Sequence, residues 1–307
     1  MIRTLDPTSE LFLAATSRIQ QRIAQANAEV SSGSKVSVAS DAPDEIAPLL
    51  QLRATQAHNT QIKTNLSVAQ SNADAADSAL TGAISLMETA VSLASQGTNS
   101  NTDAATFQGL GTQVAALQQQ MLNYSQTTVL GNYIFSGDQG NSPSYALDLT
   151  SANGIDQLIA TQQATQRIED PAGGSFAAGQ TAQAIFDDRN TDGTFANDNV
   201  FNALNSLRLA LLANDPTQVA NTIANLKAAS AHLSTSQSFY GNVQNRIQSA
   251  TDYAGKFDVS LQTQIGQIQD ADVAGAALQL TQDSTQLQAA FQMQAKMPHN
   301  TLFDYLG

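Results

Sequence analysis

The sequence contains no cysteine and no tryptophan, and these two absences exclude whole classes of chemistry and architecture. Without cysteine there is no disulfide, no thiol nucleophile and no thiolate zinc site. Aromatic residues make up only 6% of the chain, so its 42% hydrophobic content is mostly Ala, Leu, Ile and Val. That composition suits slim helix packing better than a thick aromatic core. No stretch approaches the roughly 20 apolar residues of a membrane-spanning helix, and residues 1–23 lack the apolar segment of a secretory signal. The expectation is a protein with no membrane partner and no cleaved signal peptide. Positive charge is scarce as well: 13 Lys and Arg stand against 26 Asp and Glu, a net charge of -13. Nucleic acid is a poor partner for such a chain, because binding it rests on Lys and Arg neutralising phosphates.

Proline is rare and its placement is informative. The seven prolines leave residues 49–142 and 217–297 free. An interior proline costs a helix about 3 kcal/mol, so these stretches are where long helices fit. In the first, Leu66, Ala69, Ala73, Ala76, Leu80, Ala83, Met87, Ala90 and Ala94 recur at threes and fours, the seam of a helix packed lengthwise on others. Gly97 to Asp103 supplies turn residues, and Leu110, Val114, Leu117, Met121 and Tyr124 continue the pattern on a second helix. In the second stretch Val219, Ile223 and Leu226 open a seam that Tyr240, Val243, Ile247, Ala250, Ala254, Phe257, Leu261 and Ile268 extend, with an interruption expected near Ser234 to Ser238.

The chain ends repeat this grammar more faintly. Phe12, Thr16, Ile19, Ile23, Ala26 and Val30 form one stripe, and Val273, Ala277, Leu280, Ser284, Leu287 and Phe291 form another. Isolated helices with such narrow stripes are marginal in water, since helical stability comes mainly from packing. Two readings stand side by side: an intramolecular coiled coil of the two ends, or ends that order only when copies assemble.

Residues 138–198 break the helical pattern with repeated Gly and Pro, and carry nine acids against Arg167 and Arg189. The short apolar runs Tyr145 to Leu149 and Ile155 to Ile159 predict a small β-rich insert. The fold class that results is mainly α: a long antiparallel helical bundle or coiled coil built from the N- and C-terminal segments, with a small β-rich inserted domain. Its expected parts are residues 1–42 with 273–307, residues 43–137 with 199–272, and the insert 138–198.

Searching for chemistry finds little. His58, His232 and His299 are far apart and read as surface residues, and no nucleophile elbow, phosphate loop or metalloprotease helix is present. No enzyme activity and no cofactor are expected. Asp188, Asn190, Asp192 and Gly193 match the first half of a calcium loop, but Asn199 stands where the bidentate Glu belongs. A solvated Asp-Gly turn between strands accounts for the same letters.

Specific text lies at both ends. Arg22-Ile23, then Val30 to Val36 with Ser31-Ser32-Gly33-Ser34-Lys35, then Ala39-Ser40-Asp41-Ala42-Pro43, resembles the N-terminal signature of bacterial flagellins. Ile268-Gln269-Asp270-Ala271-Asp272-Val273-Ala274, with Leu280-Thr281-Gln282 and Leu287-Gln288-Ala289-Ala290, resembles their C-terminal domain. Ala42 departs from the usual second Asp of the first motif. Physically, Gly33 suits a left-handed turn, and Ser40 or Asp41 suits the cap of a helix opening at Pro43. Within the family, Leu130 to Gly137 and the ending Thr301-Leu302-Phe303-Asp304-Tyr305-Leu306 resemble the hook-associated branch more than filament flagellins.

This resemblance implies a structural protein of the bacterial flagellum that forms the junction between hook and filament by self-assembly through its terminal helices. Filament flagellin is the alternative, and an adhesive or calcium-binding insert on a flagellar scaffold is a minor one. It further implies an extracellular location in the flagellum, reached through the flagellar secretion channel. The implied partners are further copies in a ring or helical layer, the first hook-associated junction protein, flagellin, the cap protein and an export chaperone. The residues implied for the assembly and chaperone interface are Ile19, Ile23, Val30, Leu280, Leu287 and Phe291.

Overall fold

A computed structural model describes residues 7–38, 40–99 and 103–296. Seven α-helices carry the described chain: α1 (Pro7–Ser32), α2 (Pro43–Gly97), α3 (Ala104–Ser125), α4 (Ala182–Phe186), α5 (Val200–Leu212), α6 (Pro216–Gln269) and α7 (Val273–Lys296). Between α3 and α4 lie six short strands, β1 (Thr128–Val129), β2 (Asn132–Tyr133), β3 (Tyr145–Leu147), β4 (Ile155–Gln157), β5 (Arg167–Glu169) and β6 (Ser175–Ala177). The chain divides into two compact units, residues 1–58 with 257–307 and residues 59–256.

In the larger unit the expected seam of α2 is the core: Leu66, Ala73, Ala76, Leu80, Ala83, Met87, Ala90 and Ala94 are all fully buried. They pack in one cluster with Leu110, Val114 and Met121 of α3, Phe201, Leu204, Leu207 and Leu211 of α5, and Leu226, Leu233, Tyr240 and Ile247 of α6. The many alanines let the helices approach closely, and polar side chains then bond from helix to helix. Asn59 donates to the Ala254 carbonyl at 2.9 Å, Gln237 to Asp77 at 3.0 Å and Gln244 to Asp74 at 2.9 Å. Asp103 caps α3 by accepting from the Thr106 amide at 2.9 Å.

The helix α6 runs without the expected interruption near Ser234 to Ser238. The hydroxyls of Ser234 and Ser238 turn back onto the carbonyls of Ser230 and Ser234, at 3.0 and 2.9 Å, so they satisfy themselves within the helix. Proline is tolerated further into a helix than expected as well. Pro43 opens α2 where its missing amide costs nothing, but Pro48 lies inside it.

The insert forms three two-stranded antiparallel sheets, β1 with β2, β3 with β4 and β5 with β6. The Leu130-Gly131 turn joins β1 to β2 with both residues left-handed, at φ 52° and 83°. Each pair is too small to stand alone. What holds them is aromatic: Phe135 meets Phe186 at 5.6 Å and Tyr240 at 6.1 Å between ring centroids, and Tyr145 meets Phe201 at 5.4 Å, all edge to face. The Tyr240 hydroxyl accepts from the Gln180 amide at 3.1 Å, and burial pushes its pKa up to about 12.

Polar groups finish the anchoring. The buried Asp187 carboxylate accepts from Asn153 at 3.1 Å, Asn199 at 2.8 Å and Arg189 at 2.8 and 3.0 Å. Asn205 of α5 donates to the Ala152 carbonyl, and Arg208 to the Leu149 carbonyl. Gly137 adopts φ 61°, and the Gln163 carbonyl fills the space a Cβ would take.

Candidate assembly surface

In the smaller unit, α1 and α7 pack along one another in opposite directions: Phe12 lies near Phe291, and Arg22 meets Asp283. The stripe expected on α1 is the one that faces its partner. Thr16 and Ala26 are buried, and Phe12, Ile19, Ile23 and Val30 are half-buried. On α7 the seam is shifted only in part: it keeps Leu280, Ser284 and Leu287 of the expected stripe but takes in Ala276 and Asp283. Ala276 and Asp283 are buried while Val273 and Ala277 are exposed, and Leu280 and Leu287 are half-buried. Of the residues expected at an assembly interface, Ile19, Ile23, Val30, Leu280 and Leu287 thus line the intramolecular seam. Phe291 remains 51% exposed with its ring edge on Phe12, centroids 6.2 Å apart.

The shift matters because it puts a carboxylate in the seam. Asp283 is fully covered and accepts from Arg22 Nη2 at 2.7 Å, from Arg22 Nε at 3.0 and 3.2 Å, and from Gln279 at 3.0 Å. The Arg22 hydrogen bonds hold the Asp283 carboxyl below the usual carboxylate range, and Asp283 raises the Arg22 guanidinium in turn. Arg22 is legible as part of a motif; Asp283 is not, because its stripe is phased correctly only once Ala276 is recognised as a seam position.

The two terminal signatures meet. Gly33, at φ 68°, ends α1 by donating its amide to the Glu29 carbonyl at 2.9 Å, as its expected left-handed geometry allows. Ser34 then forms an antiparallel bridge with Asp270. The Lys35 amide donates to the Gln269 carbonyl at 2.7 Å, the Ala271 amide to the Gly33 carbonyl at 3.0 Å, and the Ser34 hydroxyl to the Gln269 carbonyl at 3.1 Å. Asp272 starts α7 by accepting from the Gly275 amide at 3.0 Å. A different role emerges for Asp41: it does not cap α2 but accepts from the Ser37 and Val38 amides, both at 2.9 Å, which holds its carboxyl below the usual range.

Away from the seam the pair keeps apolar residues in water. Leu11 is 72% exposed, Leu13 55%, Leu278 60% and Met293 67%. These side chains are open to solvent on helices that carry few charges. The ending Thr301 to Leu306, Ala39 and His299 lie outside the described residues.

The residues of the half calcium motif are bonded locally. Asp192 accepts from the Thr194 amide at 2.9 Å and hydroxyl at 2.6 Å, and Asn190 donates to that hydroxyl at 2.9 Å. With Gly193 at φ 85° and a bridge between Arg189 and Phe195, these residues build a hairpin turn. Asp188 faces elsewhere, toward Asp198 and His232. Among the described residues no helix is long and apolar enough to cross a membrane.

Residues 9–140 match the bacterial flagellin N-terminal helical region, and residues 219–306 match the bacterial flagellin C-terminal helical region. The chain is 27% identical over 271 residues to flagellar hook-associated protein 3 of Escherichia coli K12, covering 84% of this chain and 79% of that one. Its fold is similar to that of a protein from Vibrio parahaemolyticus described as a flagellar hook-associated protein, with a TM-score of 0.63 at 15% identity, over 75% of this chain and all of that one. It is also similar to Bacillus cereus FlgL, with a TM-score of 0.55 at 14% identity, over 70% of this chain and 99% of that one. With the two signatures paired at the base of α1 and α7, and both terminal regions matched along their length, the chain belongs to the bacterial flagellin family.

Proposed function

We propose that the chain is a structural protein of the bacterial flagellum that forms the junction between hook and filament, assembling through its terminal helices. The observation that carries this reading is the antiparallel pairing of α1 with α7, joined at Ser34 and Asp270 and still exposing Leu11, Leu13, Leu278 and Met293. The similarity to hook-associated protein 3 favours the junction over the filament itself. A structural role accounts for the chain without any catalytic group.

Its partners in this reading are further copies in a ring or helical layer, the first hook-associated junction protein, flagellin and the cap protein. An export chaperone would hold α7 through Leu280, Leu287 and Phe291, competing with α1 for the same face, before passage through the flagellar channel. Residues 1–42 with 273–307 would be the assembly region, residues 43–137 with 199–272 a helical bundle, and residues 138–198 the variable insert. The test is deletion of the chromosomal copy followed by electron microscopy of the flagella and complementation. Hooks without filaments, with flagellin lost to the medium, are expected. Normal filaments would overturn the junction role and leave a redundant filament subunit.

A further inference from the structure

His232 lies on α6 beside the insert, with both ring nitrogens engaged. Nε2 is 2.8 Å from the Ala184 carbonyl of α4, and Nδ1 is 3.2 Å from Asp198 Oδ2. A carbonyl only accepts, so Nε2 carries the hydrogen and the ring is fixed with Nδ1 toward the carboxylates. Ligand atoms of Asp188, Asp198 and His232 lie within 4.8 Å of one another, and all three residues are half-buried. Nδ1 and the two carboxylates face one another, and either a proton on Nδ1 or a bound cation among them satisfies that arrangement. The neighbouring cation in sequence, Arg189, is committed elsewhere: it binds Asp187 and lies 5.0 Å from the centre of the Phe195 ring.

From this geometry we propose that Asp188, Asp198 and His232 form a binding site for a divalent transition-metal ion of the zinc class. One imidazole and two carboxylates suit zinc and its neighbours better than calcium or magnesium, which prefer oxygen alone. The bond from Nε2 to a backbone carbonyl is the outer support that metal-binding histidines use to fix their tautomer. Donors about 2.0–2.1 Å from a tetrahedral zinc stand about 3.3 Å apart, a spacing the Asp198 and His232 pair already has. Asp188, whose Oδ1 accepts from the Arg189 amide at 3.0 Å, would supply the third ligand, leaving a fourth position for water. The three ligands come from the loop after α4, the turn before α5, and the middle of α6. An ion there ties the insert to α6. This site shares only Asp188 with the half calcium motif.

The test uses the full chain, stripped with chelator and titrated with zinc by calorimetry, with cobalt as an optical probe. Saturable one-to-one binding and a rise in Tm with zinc are expected. His232→Gln and Asp198→Asn should each weaken zinc binding by about tenfold or more and abolish the cobalt absorption band, while His58→Gln leaves both intact. If His232→Gln fails to fold, Asp198→Asn decides, because its half-exposed carboxylate is replaced by an amide of the same shape. Absence of saturable binding, or binding undiminished in Asp198→Asn, overturns the site. A calcium-induced rise in Tm equal to that with zinc would also overturn the assignment and return the site to the Asp188 to Asp192 loop.

Discussion

Arg22 and Asp283, 261 residues apart in sequence, form a two-pronged ion pair between α1 and α7, with the carboxylate fully covered and the guanidinium half in water. An ion pair inside an apolar seam does little for stability over a well-packed pair, but it is intolerant of misregister. Removing one partner strands the other. Asp283→Asn and Arg22→Ala should both loosen α7, seen as faster amide exchange along α7, while amides in the core around Leu80 and Phe201 keep their protection. Asp283→Leu should keep α7 protected but permit alternative registers, readable as broadened resonances. Unchanged exchange in Asp283→Asn would refute a role for the pair.

The same pair predicts a pH dependence. The folded Asp283 carboxyl is lowered, chiefly by the Arg22 hydrogen bond. A lowered folded pKa stabilises the paired helices above the unfolded value of about 3.9, and this contribution is lost as pH falls through the folded value. Protection of α7 should therefore be constant from neutrality down to about pH 4 and decline below it. In Asp283→Asn that decline should be much shallower.

Two turn positions should respond in opposite directions. Gly137→Ala forces a side chain into left-handed backbone against the Gln163 carbonyl, and should cost about 2 kcal/mol or more in urea unfolding. Leu130 is left-handed and 83% exposed, so Leu130→Asn should stabilise the isolated chain by about 1 kcal/mol. A loss of assembly in that second variant, with stability gained, would show that the leucine serves a neighbouring subunit.

Assembly can be separated from folding. Combined Leu287→Asp and Phe291→Asp should leave the α2, α3, α5 and α6 core folded and abolish assembly, checked by circular dichroism and by electron microscopy of complemented cells. Because Leu287 lies in the seam, those changes also loosen α7. Leu11→Asp with Met293→Asp, both well exposed, should abolish assembly while α7 keeps its amide protection. Loss of the folded core in either double variant would place those residues in the core of the free chain instead.

Periodicity determined a great deal here. The run from Leu66 to Ala94 is core at nearly every position, and the α1 stripe faces α7 as written, because a 3.6-residue repeat dictates which residues share a face. Gly33 and the end of α2 at Gly97 were equally legible, since backbone sterics act locally. The family text at both ends was legible as well, and with it the flagellar assignment.

What periodicity could not decide was partnership. A stripe has a phase but no address, so a partial shift of the seam on α7 hid Asp283, and nothing local says that Ser34 will bond to Gln269 across the length of the chain. Serines that suggest a break can instead satisfy themselves within α6, and His232, which reads as a surface residue in sequence, meets Ala184 and Asp198. Those outcomes belong to tertiary structure, because hydrogen-bond satisfaction and charge pairing depend on which surfaces come within 3 to 4 Å, and chain order does not determine that.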